Sequence, residues 1–174
     1  VFNHRSVQEI LSMIRTLGGM VGAGKRADEL VGAYENNIDR NLAQAAGRSR
    51  RPKVYFEEWD DPQISGIRWV SELITIAGGD DIFPELAVCP DGKSRIIADP
   101  DEVSGRAPEI IIGSWCGKKF RPEKVAAREG WDAIPAVQNG DIYEIKSAQI
   151  LQPGPAALTD GLEQLREIIA TWAH

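Results

Sequence analysis

The chain has few of the side chains that build disulfide frameworks and metal sites. Two cysteines among 174 residues, Cys89 and Cys116, are too few for a disulfide framework. They leave two alternatives open, a single bridge or two part-buried free thiols. The two histidines, His4 and His174, lie near opposite ends of the chain. Because imidazole is the usual ligand of such sites, we do not expect a histidine-rich transition-metal site.

The chain also has no excess of basic residues, no long apolar run and no recognisable signal peptide. Its net charge of -6 and isoelectric point near 5.0 argue against a nucleic-acid partner, which requires a basic face. No apolar run approaches the length of a membrane span. Since Val1 is not a translation start, we interpret the chain as an internal or processed fragment, and the missing signal says nothing about compartment.

Two helices are expected at the start of the chain. Residues 6–9 have the form of a capping box and precede apolar residues at helical spacing. Gly18 and Gly19 are expected to end this first helix. A longer amphipathic helix is predicted over 24–46.

From Val54 onward, predicted strands alternate with helices. Strands are expected at 54–57, 110–112 and 141–145, the second of them buried on both faces. A helix is predicted at about 66–77, others begin near Asp99 and Pro122, and a last one begins at Pro155. Residues 131–137 are expected to be irregular. This order predicts an α/β fold, a Rossmann-like lobe with a mainly parallel sheet and flanking helices.

The loops after the three strands are expected at 57–62 (the first loop), 113–117 (the second) and 146–155 (the third). They form the candidate ligand site, because small molecules bind beyond the carboxyl ends of parallel strands. Broad aromatic surfaces with a few polar groups suit a large, flat or amphipathic ligand, although the tryptophans could also pack beneath the loops. The candidate ligand-binding residues are Glu58, Trp59, Asp60, Ser114, Trp115, Cys116, Ser147, Ile150, Leu151, Gln152 and Pro153.

Three patterns that would support an enzyme are missing. Glu57 and Glu58 are adjacent on a strand and therefore point to opposite faces, so they cannot act as a carboxylate pair. Cys116 has no histidine nearby to serve as its base. The glycine-rich segment 18–24 lacks the strand and the lysine–hydroxyl ending of a phosphate-binding loop. We therefore expect a protein that is not an enzyme.

Three phrases of the sequence resemble one family of transport proteins. SGIRWVSELITIAGGDDIF, DPDEVSGRAPEIIIGSW and WDAIPAVQNGDIYEI occur in an order and spacing similar to the carboxy-terminal part of ABC-importer substrate-binding proteins. This family has a rigid helical backbone and serves uptake of vitamin B12, haem and iron–siderophores. The resemblance implies that 1–23 is the end of a first lobe, 24–52 the interlobe helix and linker, and 53–174 the carboxy-terminal lobe.

The resemblance also implies partners and a location. The protein would capture a ligand between two lobes and deliver it to a permease and its ATPase, in a periplasm or another extracytoplasmic space, with a membrane anchor as one option. Glu102 matches the place of an acidic residue that docks on permease arginines, and it also fits as an acid favoured by the helix dipole. By the same resemblance, the expected amino-terminal lobe would be missing before Val1. We therefore expect weak ligand binding by this chain alone and a homodimer through 6–46.

The ligand has several candidates. YFEEWDDP, SWCGKK and ILQPGPA are most similar to members described as cobalamin-binding, which favours a corrinoid. Lys118, Lys119 and Arg121 follow the second loop and favour the alternative, an anionic ferric siderophore or haem. No separate cofactor is expected. A different class, a flavodoxin-like enzyme or tetrapyrrole-handling protein, would need catalytic groups at the strand ends. A purely structural domain would leave the loop tryptophans without a role.

Overall fold

Two antiparallel-packed helices precede the sheet in this computed structural model, which describes residues 3–172. They are α1 (Val7–Met20) and α2 (Gly24–Ala46), the latter with the predicted bounds. The predicted capping box is confirmed: Ser6 Oγ accepts from the Glu9 amide at 3.2 Å, and the Glu9 carboxylate accepts from the Ser6 amide at 3.1 Å. However, α1 continues through Gly18 to Met20. A Cβ at Gly18 would lie 2.3 Å from the Ala27 Cβ, so this glycine permits close helix packing and does not end α1.

The sheet is mainly parallel, as predicted. Its strands are β1 (Lys53–Asp60), β2 (Gln63–Ser65), β3 (Asp80–Asp81), β4 (Ile110–Gly113) and β5 (Ile142–Glu144), in the order β2-β1-β4-β5. β1, β4 and β5 run parallel, and β3 pairs in parallel with the start of β1. β1 extends beyond its predicted end, because its last residues form an antiparallel hairpin with β2 that the sequence did not predict.

The helices that follow are mostly short. They are α3 (Arg68–Ala77), α4 (Pro84–Ala87), α5 (Asp101–Arg106), α6 (Pro122–Ala126), α7 (Pro135–Asn139), α8 (Ser147–Ile150) and α9 (Leu162–Trp172). The predicted irregular segment 131–137 is therefore wrong at its end, where Pro135 starts α7. The helix expected from Pro155 forms, but it contains a π-helical turn at Ala157–Gly161. A Cβ at Gly161 would lie 2.6 Å from the Gln149 carbonyl oxygen, so a glycine is needed where the turn meets α8.

Each face of the sheet has its own hydrophobic core. Val54, Phe56, Ile110 and Ile112 pack with α1, α2, α3 and α9 on one face. On the other face, Tyr55 and Ile111 pack with residues from the short helices and loops between β3 and β5. The strand Ile110–Gly113 is buried on both faces, as predicted. Alternation along β1 therefore decides which core each side chain enters.

Two further expectations concern thiols and membranes. Cys89 and Cys116 are both free thiols, which decides between the two alternatives that the sequence left open. No helix within residues 3–172 is both long enough and apolar enough to cross a membrane. His174 lies outside the described residues.

Candidate functional site

A buried carboxylate, Glu57, lies where β1 reaches the candidate edge. It is 0% exposed and accepts four hydrogen bonds. The donors are Tyr55 Oη at 2.9 Å, Trp115 Nε1 at 3.0 Å, and Arg128 Nη1 and Nη2 at 2.6 and 2.9 Å. Burying a carboxylate is costly unless it is paired and hydrogen-bonded, and these donors satisfy both conditions. Glu57 thus joins β1, the loop after β4 and the segment after α6.

The protonation states around Glu57 follow from the same contacts. Burial lowers the pKa of Arg128, but the hydrogen bonds and charge of Glu57 outweigh this effect and leave the pKa raised. Burial raises the pKa of Tyr55 well above its ordinary value, and the Glu57 charge raises it further. The network therefore contains a charged guanidinium and a neutral phenol that donates a hydrogen bond to the carboxylate.

Glu58 lies where the pairing of β1 with β2 is irregular, and it has a different partner from Glu57. Its carboxylate accepts from Arg95 Nη1 and Nη2 at 2.6 and 2.9 Å, and the residue Arg95 is only 2% exposed. Arg95 also donates to the carbonyl oxygen of Ser65 in β2. Glu58, a predicted ligand-binding residue, therefore holds the β1–β2 hairpin and the segment around Arg95 together. Its carboxylate is already engaged within the fold.

The first and second loops meet at Lys118. Its Nζ lies 2.5 Å from Asp60 Oδ2, 5.5 Å from the ring centroid of Trp59 and 5.1 Å from that of Trp115. Trp59 Nε1 donates to the Asp61 carbonyl oxygen at 2.9 Å, which fixes the orientation of its ring. The prediction of a loop at Trp59 and Asp60 is wrong, because both residues belong to β1, where they pair with β2. The end of β1 is thus in contact with the loop after β4 at the carboxyl end of the sheet.

A surface cavity of about 520 Å³ lies between the second and third loops. Three lysines give it a cationic character, and one carboxylate opposes them. Lys146 Nζ lies 2.6 Å from Glu144 Oε2. The cavity is lined by Trp115, Gly117, Lys118, Lys119, Glu144, Lys146, Ser147 and Ala148. Such a surface suits a ligand with anionic groups.

The structure divides the predicted site residues by exposure. Cys116 and Gln152 are exposed, and Trp59, Asp60, Ser147, Leu151 and Pro153 are part-exposed. Ser114 and Trp115 are 1% and 5% exposed, and Ile150 is 0% exposed. The Ile150 carbonyl accepts from the buried Trp69 Nε1 at 2.8 Å. The side chains of Ser114, Trp115 and Ile150 therefore support the edge from below in this conformation.

Sequence reasoning did not identify the cations that hold this edge in place. Arg128 and Arg95 pair with Glu57 and Glu58 from 71 and 37 positions away along the chain. Period-two alternation did carry one usable signal, since it places Glu57 on the same buried face as Tyr55. A carboxylate in that position requires a cation, but the strand pattern does not indicate which one.

Comparison with known proteins establishes the family. Residues 1–149 match the family described as "Periplasmic binding protein". The chain belongs to this family, and the prediction that it is not an enzyme agrees with that membership. A curated relative is the ABC transporter substrate-binding lipoprotein YvrC of Bacillus subtilis (strain 168). It is 23% identical over 170 residues, which are 95% of this chain and 51% of the relative.

Solved structures show the same fold. S. aureus IsdE complexed with haem superposes with a TM-score of 0.78 at 18% identity, over 97% of this chain and 66% of IsdE. The vitamin B12 binding protein BtuF of Vibrio cholerae superposes with a TM-score of 0.71 at 19% identity, over 98% of this chain and 64% of BtuF. At these identities the likeness shows the fold alone. The chain spans about half the length of its curated relative and just under two thirds of the length of each of these two structures.

The Glu57 network generates a stability prediction. Glu57→Gln keeps the shape of the side chain but leaves Arg128 without its counter-charge. We expect a loss of about 3 kcal/mol in the free energy of unfolding, the size typical of breaking a buried pair. Urea denaturation measures it. As a matched control, Glu163→Gln removes a carboxylate from the exposed pair with Arg166 and should cost less than about 1 kcal/mol. Equal losses in the two variants would contradict the prediction.

Proposed function

We propose that this chain is the carboxy-terminal lobe of the substrate-binding component of an ABC importer. In this proposal, residues 1–23 end a first lobe, 24–52 form the interlobe helix and linker, and 53–174 form the ligand-binding lobe. The complete protein captures a small ligand between two lobes and delivers it to a permease and its ATPase. Family membership and the fold support the proposal. Its location is extracytoplasmic, with a membrane anchor, as the word lipoprotein in the name of the curated relative suggests.

We infer the class of ligand from the lysine-lined cavity at the carboxyl end of the sheet. Lys118, Lys119 and Lys146 face one cavity that has Glu144 as its only acidic lining residue. Trp115, one of the two tryptophans that favoured a corrinoid, is buried and hydrogen-bonded to Glu57. An anionic metal chelate, a ferric siderophore or haem, therefore fits this edge better than a corrinoid.

A corrinoid is the second candidate. Trp59 is part-exposed beside the cavity, and an aromatic surface of this kind suits a large flat ligand. The fold is shared with a vitamin B12 binding protein and with a protein complexed with haem, so the fold does not separate the two ligands. The proposed contacts from the predicted set are Trp59, Cys116, Ser147, Leu151, Gln152 and Pro153, with the three lysines as further contacts for an anionic ligand. Glu58 and Asp60 are engaged with Arg95 and Lys118 instead.

Titration of the two-lobed protein tests this function. We expect saturable one-to-one binding of haemin or a ferric siderophore by isothermal titration. Trp59→Ala should weaken it about tenfold, since 1.4 kcal/mol of lost contact corresponds to that factor. Lys124→Gln serves as the control, because this lysine is exposed on α6 outside the cavity.

The ligands used in that titration distinguish the candidates. Cyanocobalamin binding that weakens in Trp59→Ala, with no heat from haemin or ferric siderophores, would establish the corrinoid instead. If a folded two-lobed protein binds none of them, the proposed function is wrong. The single lobe should bind weakly in every case, because half of the surface around the ligand is missing.

Permease docking through Glu102 is a separate proposal. Glu102 lies in the first turn of α5, its side chain is 45% exposed, and its Oε2 lies 2.9 Å from Arg106 Nη2. Glu102→Lys in the two-lobed protein should weaken association with the permease complex about tenfold and leave ligand affinity unchanged. Glu123→Lys, which reverses an exposed acid in the first turn of α6, is the matched control. Equal effects of the two reversals on permease binding would contradict a specific role for Glu102.

Self-association of the single lobe is proposed through residues 6–46. Residues of the α1–α2 hairpin expose large apolar groups, with Met20 72% and Val21 77% exposed, and with Leu17, Leu30 and Leu42 at 40%, 39% and 40%. Exposed apolar groups on one element indicate an interface. Sedimentation velocity of this chain should show a dimer in the micromolar range, and Met20→Glu should shift it to monomer. Val88→Glu changes an equally exposed apolar residue outside the hairpin and should leave the dimer intact. A monomer at every concentration would refute the proposal.

A further inference from the structure

The Lys118 ammonium is surrounded by one carboxylate and two tryptophan rings of the same chain. The ammonium is 2.5 Å from Asp60 Oδ2 and within 5.5 Å of the ring centroids of Trp59 and Trp115. A carboxylate and two aromatic rings are the groups that bind organic cations in proteins. We call the groups of Trp59, Trp115 and Asp60 around this ammonium the lysine site. It lies at the candidate ligand edge, since both Lys118 and Trp115 line the cavity there.

The contacts that Lys118 makes in the lysine site are exposed to solvent and are therefore weak. The Lys118 side chain is 45% exposed, so solvent screens its ion pair and its contacts with the rings. It follows Gly117, whose φ of 71° places the turn in the left-handed region. The ammonium makes these contacts from the surface, while Trp115 is held beneath it by a hydrogen bond to Glu57. The contacts of Lys118 can therefore be exchanged without breaking that bond.

Asp60 is the group that opposes such an exchange. Its side chain is only 17% exposed, and its Oδ1 is buried without a hydrogen-bond partner in the described part of the chain. Removing Lys118 leaves this carboxylate poorly solvated and without its cation. An anionic group that takes Lys118 must therefore outweigh the loss at Asp60.

We propose that Lys118 determines ligand specificity by exchanging Asp60 for an anionic group of the ligand. The inference rests on the proposed binding function of this edge. Without ligand, the ammonium is held by the lysine site, and Asp60 competes with the ligand for it. With an anionic ligand, the ammonium binds the ligand and leaves the face of Trp59 free. A ligand without an anionic group cannot make this exchange and gains nothing from Lys118.

The exchange predicts opposite effects for the two partners of one ion pair. In the two-lobed protein, Lys118→Gln should weaken haemin binding about fivefold, the upper range for one exposed ion pair. Asp60→Asn should strengthen it about threefold, because the competitor for Lys118 is lost. Dicyanocobinamide, a corrinoid that lacks the phosphate-bearing nucleotide of cyanocobalamin and so offers no anionic group, should bind equally to both variants and to the unsubstituted protein. Lys124→Gln changes net charge by the same amount as Lys118→Gln, away from the edge, and should change neither affinity.

A ligand-free measurement tests the contact itself. Lys118→Gln should change the tryptophan fluorescence of this chain, because the ammonium lies close to two indole rings, and Lys124→Gln should not. Thermal unfolding of Lys118→Gln, Asp60→Asn and the double variant should show a coupling between the two residues.

The outcomes separate this inference from the proposed function. If no probe binds the unsubstituted two-lobed protein, the proposed function is wrong, and the role in specificity is overturned with it. If haemin binds but Asp60→Asn weakens it, Asp60 contacts the ligand directly and the exchange is refuted. Unchanged fluorescence together with absent coupling would show that the lysine site does not form, which also overturns the inference.

Discussion

The buried negative charge of Glu57 is the constraint on which the shape of the candidate edge depends. A carboxylate at 0% exposure is tolerated only while its counter-charge and hydrogen-bond donors remain in place. Tyr55 supplies a donor from the same strand, Trp115 one from the second loop, and Arg128 two from the segment after α6. Moving any of these segments would leave the charge under-compensated. One side chain therefore fixes the strand end and two loop regions relative to each other.

The parts of the fold that depend on local pattern could be predicted from the sequence. The bounds of α2 follow from a sustained apolar stripe, and the burial of Ile110–Gly113 follows from a continuous apolar run. The errors occur where distant contacts decide. α1 passes through Gly18 because Ala27 packs against it, and the β1–β2 hairpin is held by Arg95 in a segment 30 residues beyond Ser65. Neither contact is visible in a local window of sequence.

The candidate site was predictable in its place and only partly in its members. The order of the strands, together with ligand binding beyond the carboxyl ends of parallel strands, indicates which loops meet. Trp59 and Asp60 do lie beside Lys118. Residue type does not reveal which side of a loop faces water. Trp115 and Ile150 follow β4 and β5, and Trp59 lies at the end of β1. Trp115 and Ile150 are nevertheless covered, the first hydrogen-bonded to Glu57 and the second to Trp69. Packing under the loops, the alternative left open for the tryptophans, describes Trp115 fully and Trp59 in part, since Trp59 packs against the same core but remains part-exposed.

The charges at this edge also explain why a single lobe would discriminate poorly between ligands. Lys118 and Lys146 are already paired with Asp60 and Glu144, so a ligand gains from them only the difference between two ion pairs. Water screens both pairs at an open edge, and that difference is small. A second surface closing over the cavity would exclude water and lower the local dielectric, which strengthens every charge–charge contact inside. If the proposed function holds, selection by ligand charge is therefore expected in the closed two-lobed state, with the lysines of this lobe as the charges proposed to exert it.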